Sequence, residues 1–301
     1  MKLSRLRRWS GETLVVGIPM VWLLVFFLMP FIIVAKISLA QSAVSIPPYT
    51  AMFEWADSRL AVIFDLSSYV WLTEDTLYFD AYVNSIKIAF FSTLICLMIG
   101  YPMAYAIARA PAANQPLWLL LVLLPSWTSF LIRIYAWIGL LKNNGLINNF
   151  LMWIGIIDDP IQMLHTPFAV YLGIVYAYLP FMILPLYANL VKHDQSLLEA
   201  ASDLGAKAFT IFTRITLPLS KNGMVAGSML VFIPVVGEYV IPELLGGNST
   251  VMIGKVLWQE FFNNRDWSVA AALAAIMVAI LIIPIMLFHR YEQKTLEEEA
   301  Q

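Results

Sequence analysis

Ser196-Leu-Leu-Glu199-Ala200-Ala201-Ser-Asp203-Leu204-Gly205-Ala206-Lys207-Ala-Phe-Thr-Ile-Phe-Thr-Arg214-Ile215-Thr-Leu217-Pro218 joins two long apolar blocks of the chain. Ser196 followed three residues later by Glu199 is the pattern of a capping box, in which the serine oxygen accepts from a first-turn N–H and the glutamate reaches back to the serine N–H. The spacing therefore predicts a short helix starting after Ser196. Leu197, Leu198, Ala201 and Leu204 give it one apolar face. Gly205 is placed to end it, since glycine takes the left-handed conformation without steric penalty. A second short helix is predicted from about Lys207 until Pro218 approaches. Physics alone leaves two readings for this two-helix element: an amphipathic helix lying in a membrane interface, or a piece that docks into a partner.

The flanking blocks set the solvent. Of 301 residues 60% are apolar and 13% charged, with 18 Lys+Arg against 20 Asp+Glu. A soluble domain carries about 25% charged residues, and a disordered chain requires low hydrophobicity; lipid is the solvent that fits. A charge balance of −2 excludes a basic nucleic-acid binder. Uncharged or nearly uncharged stretches run over Thr13–Ala35, Ile88–Ala108, Leu117–Leu141 (interrupted by Arg133), Thr166–Val191, Asn222–Gly237 and Trp267–Phe288. A helix needs about 20 residues to cross roughly 30 Å of hydrocarbon. Asn222–Gly237, at 16 residues, reaches about 24 Å, so its helix is expected to continue past Glu238 toward Leu245. The reading is an all-α integral membrane protein of six transmembrane helices.

Basic flanks orient it. Lys2, Arg5, Arg7 and Arg8 place the N-terminus in the cytoplasm, and six spans return the C-terminus there. The expected organisation is a cytoplasmic segment 1–12, a six-helix transmembrane domain 13–289 and a cytoplasmic tail 290–301. Within the domain, 41–80 forms an external loop and 192–221 a cytoplasmic one. Ser38-Leu39-Ala40 has the small residues of a signal-peptidase site, but the apolar run before it exceeds the 7–15 residues of a signal core and holds Pro19 and Pro30, which favours a retained anchor. The loop 41–80 carries a net charge of −5. That charge either concentrates cations near an entrance or is merely solvated.

Chemistry-bearing motifs are lacking. There is no phosphate-binding G-x-x-x-x-G-K-[ST], no H-E-x-x-H and no G-x-S-x-G. His165, His193 and His289 stand apart, and Asp158-Asp159 precedes Pro160 as in a turn. Cys96, the one cysteine, lies in an apolar run. No catalytic residue, metal site or nucleotide cofactor is expected of this chain.

Glu199-Ala200-Ala201, then Gly205, then Ile215-x-Leu217-Pro218 resembles the EAA signature of ABC-importer permeases, at its spacing. The stretches Leu124–Trp137, Val236–Gly247 and Trp258–Trp267 are similar to the putrescine/spermidine importer permeases, most of all to putrescine-import subunits. The resemblance implies the type I ABC importer (MetI-like) permease fold in a bacterial inner membrane. It implies that Ser196, Glu199, Ala200, Ala201, Asp203, Gly205, Ala206, Ile215, Leu217 and Pro218 form a coupling loop seated on an ATP-binding subunit. It further implies a second related permease, a dimer of ATP-binding subunits holding ATP and Mg, and a periplasmic polyamine-binding protein. The alternative function is an ATP-independent transporter or channel for a small organic cation, in which membrane acids would couple to ions.

Glu238 and Glu243 need an account whichever family applies. A mid-bilayer carboxylate costs a few kcal/mol and usually faces a cavity or a partner. Gly237, Pro242, Gly246 and Gly247 loosen helix around these acids, which is tolerated where backbone lines a water-filled path; the competing reading puts both acids in water at the outer interface. Polyamines are flexible polycations that suit carboxylates and aromatic faces. Tyr239, Trp127 and Tyr135 are therefore candidates for the same path, although aromatics at span ends also form interfacial belts. Arg133 would repel a polycation and is expected to make a structural pair.

Overall fold

A computed structural model describes residues 15–56 and 59–299. The segment 1–12 with its four basic residues lies outside the described residues, as do 300–301 at the end of the tail. The chain divides into two compact units, one formed by residues up to Thr76 together with Leu257–Ala279, the other by Leu77–Val256 and the chain from Ile280 onward.

The first unit contains helix α1 (Val15–Ser38), which matches the first expected span and includes a widened turn at Leu24–Leu28. The loop expected on the outside is not structureless. It holds an antiparallel hairpin, β1 (Phe53–Ala56) and β2 (Arg59–Val62), with Phe53 opposite Val62, and then helix α2 (Ser67–Glu74). The loop also closes sooner than residue 80, because α3 (Thr76–Arg109) begins twelve residues before the expected Ile88. Ser42 donates to Asp266, and the Phe261 and Trp267 rings stack 5.0 Å apart. The first contact ties the start of the loop to the segment before the last helix, and the second braces that segment against the first residue of the helix.

The second unit carries α3, α4 (Gln115–Leu123), α5 (Phe130–Leu141), α6 (Leu146–Trp153), α7 (Pro167–Leu190), α8 (Gln195–Asp203), α9 (Ala208–Leu219), α10 (Lys221–Val236) and α11 (Val240–Leu244). The short helix α12 (Ile253–Trp258) follows, and α13 (Trp267–Glu299) runs through both units. Among the described residues four helices are long and apolar enough to cross a membrane: α1, α3, α7 and α13 up to Met286. Six spans result when each of two bent pairs counts as one.

Those two pairs correct the sequence reading. The stretch expected as one span over 117–141 is broken: α4 passes into a tight turn at Leu124–Trp127, and the next helical segment leaves at 84°. Pro125 has no N–H to give to the preceding turn, and Thr128 and Ser129 are extended, so helix cannot continue there. The other pair is α9 with α10, which meet at 62°. α10 itself ends at Val236 and does not run on to Leu245, so Glu238 and Glu243 lie beyond it.

The core of this unit is centred on Met182 of α7, which is fully buried. Glycines let neighbouring helices reach it. A Cβ on Gly100 of α3 would come within 3.0 Å of the Met182 side chain, and one on Gly227 of α10 within 2.8 Å of its sulfur. One turn away, a Cβ on Gly223 would come within 2.7 Å of Asn189. Gly223-x-x-x-Gly227 is a small-residue stripe of the kind that lets two membrane helices approach backbone to backbone.

Candidate functional site

The loop after α7 forms two helices, as its pattern predicts, but by a different cap. The side chain of Asp194 accepts from the Ser196 N–H at 2.9 Å, so α8 begins at Gln195 and Ser196 lies inside it. That N–H is the one Glu199 was expected to reach; an aspartate two residues earlier is the shorter route to the same donor. The two Ser196 donors, backbone and hydroxyl, hold the Asp194 carboxyl below the usual carboxylate range. The far end follows expectation. Gly205 sits at φ +81°. Its N–H donates to the Ser202 carbonyl, and the Ala206 N–H donates to that of Ala201, the paired bonds of a glycine C-cap. α9 continues through Pro218 to Leu219, because a proline near the start of a turn lacks only a donor that is not needed there.

The loop's apolar side chains are uncovered. Leu204 is 89% exposed, Phe209 77% and Leu197 50%. Glu199, Ala200, Asp203 and Pro218 are exposed beside them, while Ala201, Ala206, Ile215 and Leu217 are half-buried. The base of the loop is tied to α3. Phe212 meets the edges of Tyr101 and Tyr105 at 5.7 and 6.1 Å, and the Tyr101 and Ser220 hydroxyls bond at 2.8 Å. Arg109 lies over the Tyr105 ring. His193 bonds Asn189 at 3.2 Å. Burial pushes its imidazole below the ordinary histidine value, the Leu219 carbonyl draws it back, and the Arg109 charge pushes it further down.

The two membrane acids differ. Glu238 is buried, at 8% exposed. Its Oε1 accepts from the Val240 and Ile241 N–H groups at 3.0 and 3.3 Å, which starts α11, and its Oε2 accepts from the Tyr178 hydroxyl. Two residues thus explain the break after α10: Gly237 ends one helix and Glu238 caps the next. Among the described residues no lysine or arginine lies within ion-pair distance of Glu238. Glu243 is exposed and pairs with Lys255 at 3.0 Å, so it has its countercharge within the chain.

Arg133 does not make the expected pair with a glutamate. It lies over the rings of Phe130 and Tyr176, 5.7 and 6.0 Å away, and its Nε is buried without an acceptor. Trp127 and Tyr135 are 72% and 59% exposed, on the surface of this chain, and Tyr239 is half-buried beside Glu238. Tyr178 and Lys255 are the residues that sequence reasoning missed. Both are ordinary in their stretches, and only the folded chain brings them to the acids.

The sequence matches, over residues 12–297, the family described as the binding-protein-dependent transport system inner membrane component. The chain belongs to that family. Members are inner-membrane transport subunits, not enzymes. It is 41% identical over 233 residues to the spermidine/putrescine transport system permease protein PotB of Escherichia coli, covering 77% of this chain and 84% of that one. It is 35% identical over 287 residues to the same-named protein of Haemophilus influenzae, covering 93% of each. The fold is that of the permease chain in a bacterial alginate ABC transporter bound to its periplasmic protein, with TM-score 0.73 and 17% identity over 96% of both chains. In this binding-protein-dependent family the 196–218 loop and Glu238 are the two features that call for a role.

Proposed function

We propose that this chain is the permease subunit of an ATP-driven importer of polyamines, putrescine or spermidine. The observation that carries the coupling half is the uncovered apolar ridge of Leu197, Leu204 and Phe209, on a loop rigidly capped at both ends and tied to α3. An exposed leucine-phenylalanine ridge on a capped helix is suited to burial in a cleft of an ATP-binding subunit. The cargo half is supported by the relatives named above and by a buried carboxylate that has no countercharge among the described residues. ATP and Mg then belong to the partner dimer, and a second related permease completes the path. A periplasmic polyamine-binding protein delivers the cargo, and both termini are cytoplasmic. Glu238 borders the path, with Tyr239 beside it. Glu243, Trp127 and Tyr135 stand nearer its outer parts, with Glu243 neutralised by Lys255.

Uptake of labelled putrescine and spermidine into proteoliposomes containing the full complex tests this. Transport is expected only with enclosed ATP, the ATP-binding subunit and the binding protein. Uptake that persists without the ATP-binding subunit would replace this reading with an ATP-independent cation transporter.

A further inference from the structure

Behind the Tyr178–Glu238 bond lies an open pocket of about 640 Å³, walled by Tyr178 and Phe181 of α7, Ala226, Ile233 and Pro234 of α10, and Ile285 of α13. Its walls are almost wholly apolar, and the Tyr178 side chain brings it to the carboxylate. Three donors converge on Glu238. An ionised carboxylate only accepts, and these three donors are a set it can satisfy. A buried charge that has only dipoles around it among the described residues lacks a counter-ion, and at 8% exposure that deficit is costly. Glu243 shows the contrast, since Lys255 already neutralises it. The Tyr178 hydroxyl gives its proton to Glu238, which leaves its oxygen lone pairs free to accept from a cation.

We propose that this pocket is a cation subsite that takes one protonated amine of an extended aliphatic polyamine. The Tyr178 oxygen accepts the ammonium hydrogen bond, Glu238 supplies the countercharge through it, and the methylene chain lies along Phe181, Ile233 and Pro234. An ammonium group on an apolar stem needs this combination: one polar anchor in an otherwise apolar wall. The inference rests on the polyamine reading above and adds to it a place and a residue, Tyr178.

The test is the number of putrescine molecules transported per ATP hydrolysed by the reconstituted importer, supplied with its loaded binding protein. The ratio does not depend on how much complex assembles. Tyr178→Phe keeps the ring and removes the acceptor; one charge-assisted hydrogen bond corresponds to a fall of about ten-fold or more. Glu238→Gln keeps an oxygen for the Val240 and Ile241 donors and removes the charge, and should lower the ratio at least as far. The double variant should be no worse than Glu238→Gln alone, because the two residues act as one unit. Ala226→Phe fills the pocket from the opposite wall and should also lower the ratio. Ratios unchanged in Tyr178→Phe and Ala226→Phe, in a complex whose wild type transports putrescine, would overturn the subsite alone. A wild-type complex that transports neither putrescine nor spermidine would overturn the polyamine reading and the subsite with it.

Discussion

Gly205 is where backbone conformation and the docking loop meet. At φ +81° any residue with a Cβ is strained, yet a Cβ there would touch nothing within 4 Å. The cost of Gly205→Ala is therefore a backbone cost, about 1 kcal/mol. It should appear as roughly five-fold faster hydrogen exchange at the amides of Gly205 and Ala206, whose bonds close the cap. Asparagine tolerates the left-handed region, so Gly205→Asn should recover part of the loss, whereas Gly205→Asp adds a charge beside Leu204 and should uncouple ATP hydrolysis from uptake. Equal exchange in the alanine variant and the wild type would mean that the cap does not hold the loop. The same residue-level logic separates the acids. Breaking the partly exposed Lys255–Glu243 pair with Lys255→Met should cost no more than about 1 kcal/mol in thermal unfolding; a much larger loss would mark Glu243 as the more demanding of the two sites.

At the scale of elements, α7 and α10 are held together by close approach. Gly223→Val and Gly227→Val drive side chains into Asn189 and Met182, an overpacking of about 1–3 kcal/mol each. Gly139 in α5 is the internal control: it is exposed, a Cβ there meets nothing within 4 Å, and Gly139→Ala should stabilise by roughly 0.5–1 kcal/mol. Thermal denaturation of the detergent-solubilised complex compares them, and destabilisation by Gly139→Ala as well would mean helix packing is not the cause. His193, between α7 and α8, adds a pH dependence. Its imidazole is lowered in the folded chain, so the base of the loop is fully stable above about 6.5, the ordinary histidine value, and loses stability as pH falls below it. Hydrogen exchange over residues 189–196, corrected for intrinsic rate, should quicken between pH 7.5 and 5.5 and cease to do so in His193→Gln. These elements also show what sequence discloses. Long uncharged apolar runs locate α1, α3, α7 and α13, and Gly205 announces its own turn. The Gly223/Gly227 stripe was equally open to view, since its spacing is a packing signal. The 84° break was not, because Pro125 forbids a hydrogen bond without saying which way the chain then turns. Nor was the end of α10: a length argument demanded more helix, but Glu238 spends its oxygens on the Val240 and Ile241 N–H groups and starts a new one.

For the whole molecule the consequence is a sidedness that labelling can read. The basic loop 192–221 and the acidic loop 41–80 are expected on opposite faces of the membrane, with the Asn-rich turn at Asn143-Asn144 on the outer one. Cys96 is fully buried in the core, so the native thiol should be silent to a membrane-impermeant maleimide and new cysteines can be introduced against it. Asn143→Cys should label in intact spheroplasts. Leu204→Cys, at one of the most exposed side chains of the loop, should label only after permeabilisation. Adding the ATP-binding subunit should then protect Leu204→Cys and leave Asn143→Cys unchanged, because docking covers the loop and not the outer turn. Labelling of Leu204→Cys from outside would invert the topology. Labelling from inside that the ATP-binding subunit fails to suppress would keep the topology but return the loop to its other physical reading, an amphipathic element at rest on the lipid surface.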